Sequence, residues 1–324
     1  MSKSVVLYSI QQFIKAIQSI VYPKTTTMQW LRILIIIAIL LVITITYNKY
    51  NISKTQEGFQ QNDSFVLKQN ANIYDQFYAE KYDLLMQPKN RAEFESDIII
   101  KITEPTSESV VLDVGCGTGH LVNNLQEKGY RVFGIDKSAE MIKQSETNFP
   151  KSETKCQNVE ESMAFEHNTF THILCNGMTI YHIQNKTDFL RNCYHWLVPN
   201  GYLVVHLVDR NTFDPIVPVA KPTLIDNPQK YVKNRITKSA VDFPTFTYKA
   251  EYDFPEKDTK VLVKEYFTDK LGNIRQNENT LYMDSIDDIL KMAVKIGFIV
   301  HAKVNMAKYN NDENQYLYVF ERAM

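Results

Sequence analysis

The sequence predicts an α/β protein: a doubly wound, mostly parallel seven-stranded sheet with an antiparallel β cap insertion, preceded by an N-terminal transmembrane helix. Three observations predict it. From Val110 to Asp209, short runs rich in Val, Ile and Leu alternate with helical stretches, the pattern of a parallel sheet covered on both faces. Between Asn211 and Met283, a proline-studded stretch gives way to three runs of period two, which suggest an antiparallel meander. Trp30 to Tyr47, WLRILIIIAILLVITITY, is almost wholly apolar.

Taken in order, residues 1–29 form an amphipathic N-terminal segment. Val6, Ile10, Phe13, Ile14, Ile17 and Val21 recur at helical spacing before Pro23. Such a helix lies in a membrane interface or packs on its own protein. Residues 30–47 supply about 18 helical positions, or ~27 Å at ~1.5 Å each, enough for a bilayer core, with an aromatic residue at each edge. A signal peptide fits poorly, because the apolar run starts far from Met1 and is longer than an h-region. Residues 48–70 are polar without a strong period and read as a linker. Next, IYDQFYAEKYDLLM spaces Tyr74, Tyr78 and Tyr82 along one helical face, as packing or as a lid over a pocket.

The alternation begins after Glu104-Pro105. Its strands are Val110 to Val114, RVFGID ending at Asp136, a short run near Thr154 to Gln157, Phe170 to Asn176, and Tyr202 to Asp209. The helices between them run from about Thr118 to Lys128, after a Ser138 cap, and from Asp188 to Leu197. Residues 211–245, with Pro215, Pro218, Pro222, Pro228 and Pro244, read as a long loop. Phe246 to Phe254, Val261 to Thr268 and Ile274 to Met283 form the meander, so the cap insertion covers residues 211–283. A helix from Ser285 to Ile296 and strands at Phe298 to Lys308 and Gln315 to Arg322 complete a domain spanning residues 71–324.

Bulk properties exclude as much as they suggest. The 324 residues carry a formal charge of −1, so no bulk field favours nucleic acid. Cys116, Cys156, Cys175 and Cys193 show no C-x-x-C spacing, which predicts no metal site and suits a reducing compartment. Cys156 and Cys175 fall in runs expected to be buried strands. Lys15, Lys24 and Arg32 against Lys49 and Lys54 weakly favour a cytosolic N-terminus. The free thiols, and the ligand argued next, place the catalytic part in the cytosol instead.

In VVLDVGCGTGH, a strand runs into a turn with glycine at 115, 117 and 119 and then into a helix. Missing Cβ atoms let backbone amides approach a polar ligand. G-x-G-x-G is not the G-x-G-x-x-G of a dinucleotide turn. Asp136, at the end of the next strand, offers two acceptor oxygens to a ribose diol. Glycine loop plus carboxylate means an adenosine-containing ligand.

On these residues the chain resembles the class I S-adenosylmethionine-dependent methyltransferases, the broad group that includes ubiquinone and small-molecule methyltransferases, and the implied fold is Rossmann-like. VLDVGCGTGHL resembles the first motif and GIDKSAEMI the second; QNVEESMAFEHNTFTHILCN and DFLRNCYHWLVPNGYLVVHLV resemble the strands that follow. The resemblance implies S-adenosyl-L-methionine as cofactor, with Asp136 on its ribose and Asn158 and Val159 on its adenine. Asp113, Gly115, Cys116, Gly117, Gly119, Lys137, Asn176 and Tyr74 make up the rest of the implied cofactor set. Asn158 stands where aspartate is common, His172 where Phe-Asp usually begins the strand, and Asn200 replaces a glycine. No Asn-Pro-Pro-Tyr motif follows the fourth strand, which disfavours the groups that methylate base amines and glutamine amides.

Tyr181, His182 and Asp209, beyond the fourth and fifth strands, are the candidate catalytic and acceptor contacts, with His182 either a general base or a packing residue. His206 is expected in the core or facing a helix. The expected protein is a single-pass, membrane-anchored methyltransferase acting on a small-molecule or lipid acceptor, its cap setting selectivity. A membrane-tethered scaffold that kept the fold without the reaction is the alternative. The sequence does not identify the acceptor.

Overall fold

The computed structural model describes residues 26–55, 63–161, 164–222 and 227–324. The chain divides into two compact units, Met1–Gln60 and Gln61–Met324. In the first, α1 (Thr26–Thr55) is an uninterrupted helix whose stretch Gln29–Tyr47 has a mean hydropathy of 2.5. The Thr44 and Thr46 hydroxyls donate to the carbonyls of Leu40 and Val42 at 2.7 and 2.8 Å, so neither leaves a dangling donor on an aliphatic helix. The helix runs on through residues 48–55, which the sequence assigns to the linker; once nucleated, a helix extends readily into polar residues. The amphipathic helix expected over residues 1–22 lies outside the described residues.

The second unit opens with β1 (Phe65–Gln69), a 3₁₀ turn at Asn70–Ile73, α2 (Gln76–Met86) and α3 (Pro88–Thr103). The alternating part is β2 (Val110–Val114), α4 (His120–Glu127), β3 (Arg131–Asp136), α5 (Ala139–Asn148), β4 (Glu153–Cys156), β5 (Phe170–Cys175), α6 (Lys186–Trp196) and β6 (Leu197–Val208). Then follow β7 (Lys238–Asp242), β8 (Phe246–Asp253), β9 (Lys260–Asp269), β10 (Ile274–Tyr282), α7 (Ile286–Ile296), β11 (Phe298–Asn305), α8 (Ala307–Asn310) and β12 (Gln315–Arg322).

The seven-stranded sheet has the order β11-β12-β6-β5-β2-β3-β4. Within it β4, β3, β2, β5 and β6 are parallel, and β12 is antiparallel to both neighbours. Both faces are buried, by different helices. Leu112, Ile173 and Val205 pack with Phe189, Trp196 and Ile289 of α6 and α7. Val111, Leu174 and Val204 pack instead with Ile99, Val122 and Leu125 of α3 and α4. Consecutive residues of one strand thus feed opposite cores, which is why these strands are apolar on both faces rather than alternating.

The second sheet has the order β1-β10-β9-β8-β7. Its three central strands are the expected meander, but the cap is not confined to residues 211–283. β1, from the expected linker, adds in parallel to β10, and β7, from the expected proline-rich loop, adds to β8. Short edge strands leave little periodic signal because each has only one neighbour to satisfy. The helix α3 is also new: Pro88 occupies its first turn, where its missing N–H costs nothing. Cys156 is exposed rather than buried, because β4 is the outermost strand; Cys175, on the central β5, is buried as expected.

Candidate active site

A cavity of about 400 Å³ opens beyond the carboxyl ends of β2 and β3, with the cap strand β10 on its other side. Gly115 and Gly117 line it with φ of 69° and 54°, conformations that cost a Cβ-bearing residue about 1–2 kcal/mol. At Gly115 a Cβ would also stand 2.6 Å from Thr179 Cγ2. The loop is stapled to β3: the Gly115 and Cys116 amides both donate to the Ile135 carbonyl, at 2.8 and 3.0 Å.

Asp136 ends β3 at the cavity wall. Its Oδ2 accepts the Gly117 N–H at 3.0 Å and its Oδ1 the Ser138 N–H at 2.8 Å. Burial raises its pKa, and these amide donors oppose the rise. Each oxygen keeps acceptor capacity beyond its amide, which is what a vicinal diol requires. Lys137 lines the cavity and reaches Glu160 at 3.5 Å. Asn158 and Val159 line it beside Gln157; Asn158 Oδ1 accepts the Glu160 N–H at 3.1 Å, so the Asn158 amide nitrogen is the group left for a ligand.

Tyr74 also lines the cavity, but as a residue ahead of α2, not within it. Asp75 caps that helix by accepting the Tyr78 N–H at 3.2 Å. The three tyrosines still meet edge to face, with centroids 5.4 Å apart for Tyr74 and Tyr78 and 6.2 Å for Tyr78 and Tyr82. Tyr74 is pinned from behind, its carbonyl accepting the Ser138 hydroxyl at 2.6 Å. Tyr78 is not a cavity residue: its hydroxyl donates to buried Glu265 at 3.0 Å, and Tyr248 donates to the same oxygen at 2.6 Å. Burial pushes the Glu265 carboxyl up.

His182 faces the cavity across from Asn279 of β10. The Asn279 amide nitrogen stands 3.4 Å from both His182 Nδ1 and the Tyr74 hydroxyl. His182 lines the cavity as an exposed residue; desolvation by its surroundings, and then Lys186, lower its pKa, so it is neutral at physiological pH. Lys186 is itself buried. Its ammonium donates to the carbonyls of Ile183 and Tyr282 at 3.0 and 2.6 Å and pairs with Asp284 at 2.9 Å, tying the turn after β5 to the cap.

The remaining expected site residues do not line the cavity. Tyr181 is fully buried; its hydroxyl accepts the Val208 N–H at 2.9 Å, so it braces β6 and does not line the cavity. Asp209 accepts the Asn211 N–H at 2.9 Å, a turn-forming role. Cys116 points its sulfur at Gly134, whose added Cβ would lie 2.9 Å from it. A Cβ on Gly119 would fall inside the Ser145 side chain, so that glycine permits α4 to meet α5. Asp113 and Asn176 sit behind the cavity. Asn176 donates to Glu95 at 3.1 Å, Glu95 accepts from Arg91 at 2.7 Å, and burial, with Glu95 nearby, pushes Asp113 well up. His206 is buried as expected. Its Nδ1 accepts from Arg91 and the Met178 N–H, at 3.1 and 3.2 Å, leaving Nε2–H to donate to Gln315.

Thr179, Asn279 and Tyr282 line the cavity without having been singled out in the sequence, and Tyr82 lines it as one of the expected lid tyrosines. Asn279 and Tyr282 lie in a strand whose period-two pattern reads as framework; only the pairing of β10 with distant segments brings them to the site.

Residues 112–205 match a family model described as a methyltransferase domain. The chain carries a class I S-adenosylmethionine-dependent methyltransferase domain. S-adenosylmethionine is the cofactor of such domains. Curated relatives include the ubiquinone biosynthesis O-methyltransferase of Bradyrhizobium diazoefficiens, 34% identical over 31% of this chain and 40% of that protein. Another is the glycine/sarcosine N-methyltransferase of Halorhodospira halochloris, 28% identical over 43% of this chain and 54% of that protein. The methyltransferase domain is thus matched over about half the length of these relatives, whose names differ in the atom that is methylated. Among solved structures, the CcbJ methyltransferase from Streptomyces caelestis shares the fold with a TM-score of 0.59 at 15% identity, covering 78% of this chain and 98% of that one.

Proposed function

We propose that this protein is a membrane-anchored S-adenosylmethionine-dependent methyltransferase acting on an uncharged small-molecule or lipid acceptor from the cytosolic side. The observation that carries the reading is Asp136 beside the Gly115–Gly117 turn in a cavity walled opposite by cap residues. When bound, the cofactor supplies an electrophilic methyl group on a sulfonium. The protein's own part is placement: Gly115 and Gly117 admit the donor closely, Asp136 holds a diol, and Tyr74, His182 and Asn279 bound the acceptor end. Among the described residues, Lys137, Glu160 and Asp136 are the charged ones of the cavity wall, at the end where the glycine turn stands, which favours a neutral acceptor. His182, whose pKa is lowered, is neutral and suits hydrogen bonding to the acceptor better than full proton removal.

The uncharged stretch that follows Arg32 in α1, with its self-satisfied threonines, supports the anchor. Four free cysteines support a reducing side for the domain. The open cavity argues against a purely structural role. Calorimetry of the full chain with S-adenosylhomocysteine tests the reading. Binding is expected, with Asp136→Ala weakening it by ~1.5–3 kcal/mol, about 10- to 100-fold. An affinity unmoved by Asp136→Ala would overturn it.

A further inference from the structure

β1 is an outer edge of the cap sheet, and its exposed face begins with Phe65 and Leu67 before Gln69, which donates to Glu278 at 3.0 Å, where a soluble edge strand is usually charged throughout. Phe65 and Leu67 are 51% and 45% exposed; Phe65 sits in register with Ile274, itself 36% exposed, and the β9–β10 turn adds Leu271 at 73%. Single exposed leucines need no explanation, but four large apolar side chains at one corner do. The opposite edge of the same sheet, β7, reads KSAVD and exposes Lys238, Ala240 and Asp242. Asp269 and Lys270 precede Leu271 in the same turn, Asp269 accepting the Leu271 N–H at 2.8 Å, a mixture of apolar and charged groups that suits a lipid headgroup boundary.

Sequence position says what covers this corner. Residues 56–64 are all the chain between Thr55, the end of α1, and Phe65, a reach of about 35 Å at full extension. The β1 corner is the part of the domain bound most directly to the apolar helix. Beside it lies an open depression of about 590 Å³, walled by Leu67 and by the charged Lys68, Asp75 and Glu140, which shares Ala71, Tyr74 and Ser138 with the catalytic cavity.

We propose that Phe65, Leu67, Leu271 and Ile274 seat in the surface of the bilayer, and that the adjoining depression admits a membrane-dissolved amphiphilic acceptor to Tyr74. This rests on the anchored reading of α1. An apolar acceptor then never crosses water: its tail stays in lipid while its head passes along β1 to the cavity.

The test uses the full chain in nanodiscs of phosphatidylcholine and phosphatidylglycerol, in a Cys156→Ser background that removes the exposed thiol. Nitroxide labels are placed through Leu271→Cys, Gln69→Cys and Ala240→Cys, and collision with oxygen is compared with collision with a water-soluble nickel chelate. Expected is lipid-like accessibility at 271, headgroup-like accessibility at 69 and water-like accessibility at 240. A label at 271 as exposed to nickel as that at 240 overturns the bilayer contact, and a water-like label at 69 overturns the route. Alkaline carbonate extraction is run in parallel. Release of the chain defeats the anchor and this proposal together, whereas a retained chain with a water-exposed 271 defeats only the proposal.

Discussion

The seven-stranded sheet and the cap sheet solve opposite problems with opposite materials. In the first, parallel neighbours bury both faces, so β2, β5 and β6 are rich in apolar residues with Asp113, His172 and His206 buried among them, and Gly115, Gly117 and Asp136 stand at the strand ends beside the cavity. In the second, one face is inward and one outward, and the inward face itself holds charge. Arg275 donates to Asp75, Asn277 and the Ile73 carbonyl, and Glu265 accepts from Tyr78, Tyr248 and Asn277. The lesson is a division of labour: a rigid apolar frame fixes the cofactor end, while a polar-cored sheet assembled from distant segments closes the acceptor end.

The largest effect should come from breaking the cofactor side. Gly115→Val meets a positive φ and the Thr179 methyl at once, and S-adenosylhomocysteine affinity is expected to fall more than 100-fold, or to be lost, by calorimetry. If affinity holds, the loop is not the cofactor seat. Next is the cap's centre. Glu265→Ala strands three buried donors, and urea unfolding should show a loss of about 2–4 kcal/mol, with cofactor affinity little changed in the folded fraction. A cofactor site that fails in parallel would show that the two sheets are not separable.

Acid separates the halves more gently. Burial holds His172, on β5, at about 4 against about 6.5 when unfolded. A depressed folded pKa means the unfolded chain binds the extra proton, so this stability is full above pH ~6.5 and is lost as pH falls toward 4, by at most about 3 kcal/mol. His172→Phe should flatten that slope relative to wild type; an unchanged slope would assign the acid sensitivity elsewhere. Burial moves Asp113 and Glu265 the other way, upward, so the comparison with the variant, not the bare curve, is the measurement. The smallest effect is expected at Asn279→Leu: up to about 10-fold in kcat/KM from one or two lost hydrogen bonds, with cofactor affinity intact. A cofactor defect there would move Asn279 from the acceptor end to the donor end.

Much of the frame was legible in the chain because each strand end and its ligand group are neighbours in sequence. Gly115 follows β2 directly, Asp136 is the last residue of β3, and Ser138 caps the helix after it, so local pattern carried fold and cofactor seat together. The cap was legible only as a meander. β1 and β7 escaped because edge strands have weak periodicity, and α3 because a proline at its first turn is no distinct helix signal. Tyr181 and Asp209 followed the correct strand ends, but which side of a loop faces a cavity depends on packing: Tyr181 turned inward to Val208, and its neighbour His182 turned to Asn279.

By itself the sequence determined the doubly wound order, the glycine turn, the carboxylate on β3 and an apolar helix long enough for a bilayer, since all of these follow from contiguous residues and their periodicity. The tertiary structure alone decided which residues meet across the cavity and which side chains lie bare at the β1 corner. Tyr74, His182 and Asn279 come from three elements separated by more than half the domain, and only long-range strand pairing, which no local preference encodes, brings them within hydrogen-bonding distance.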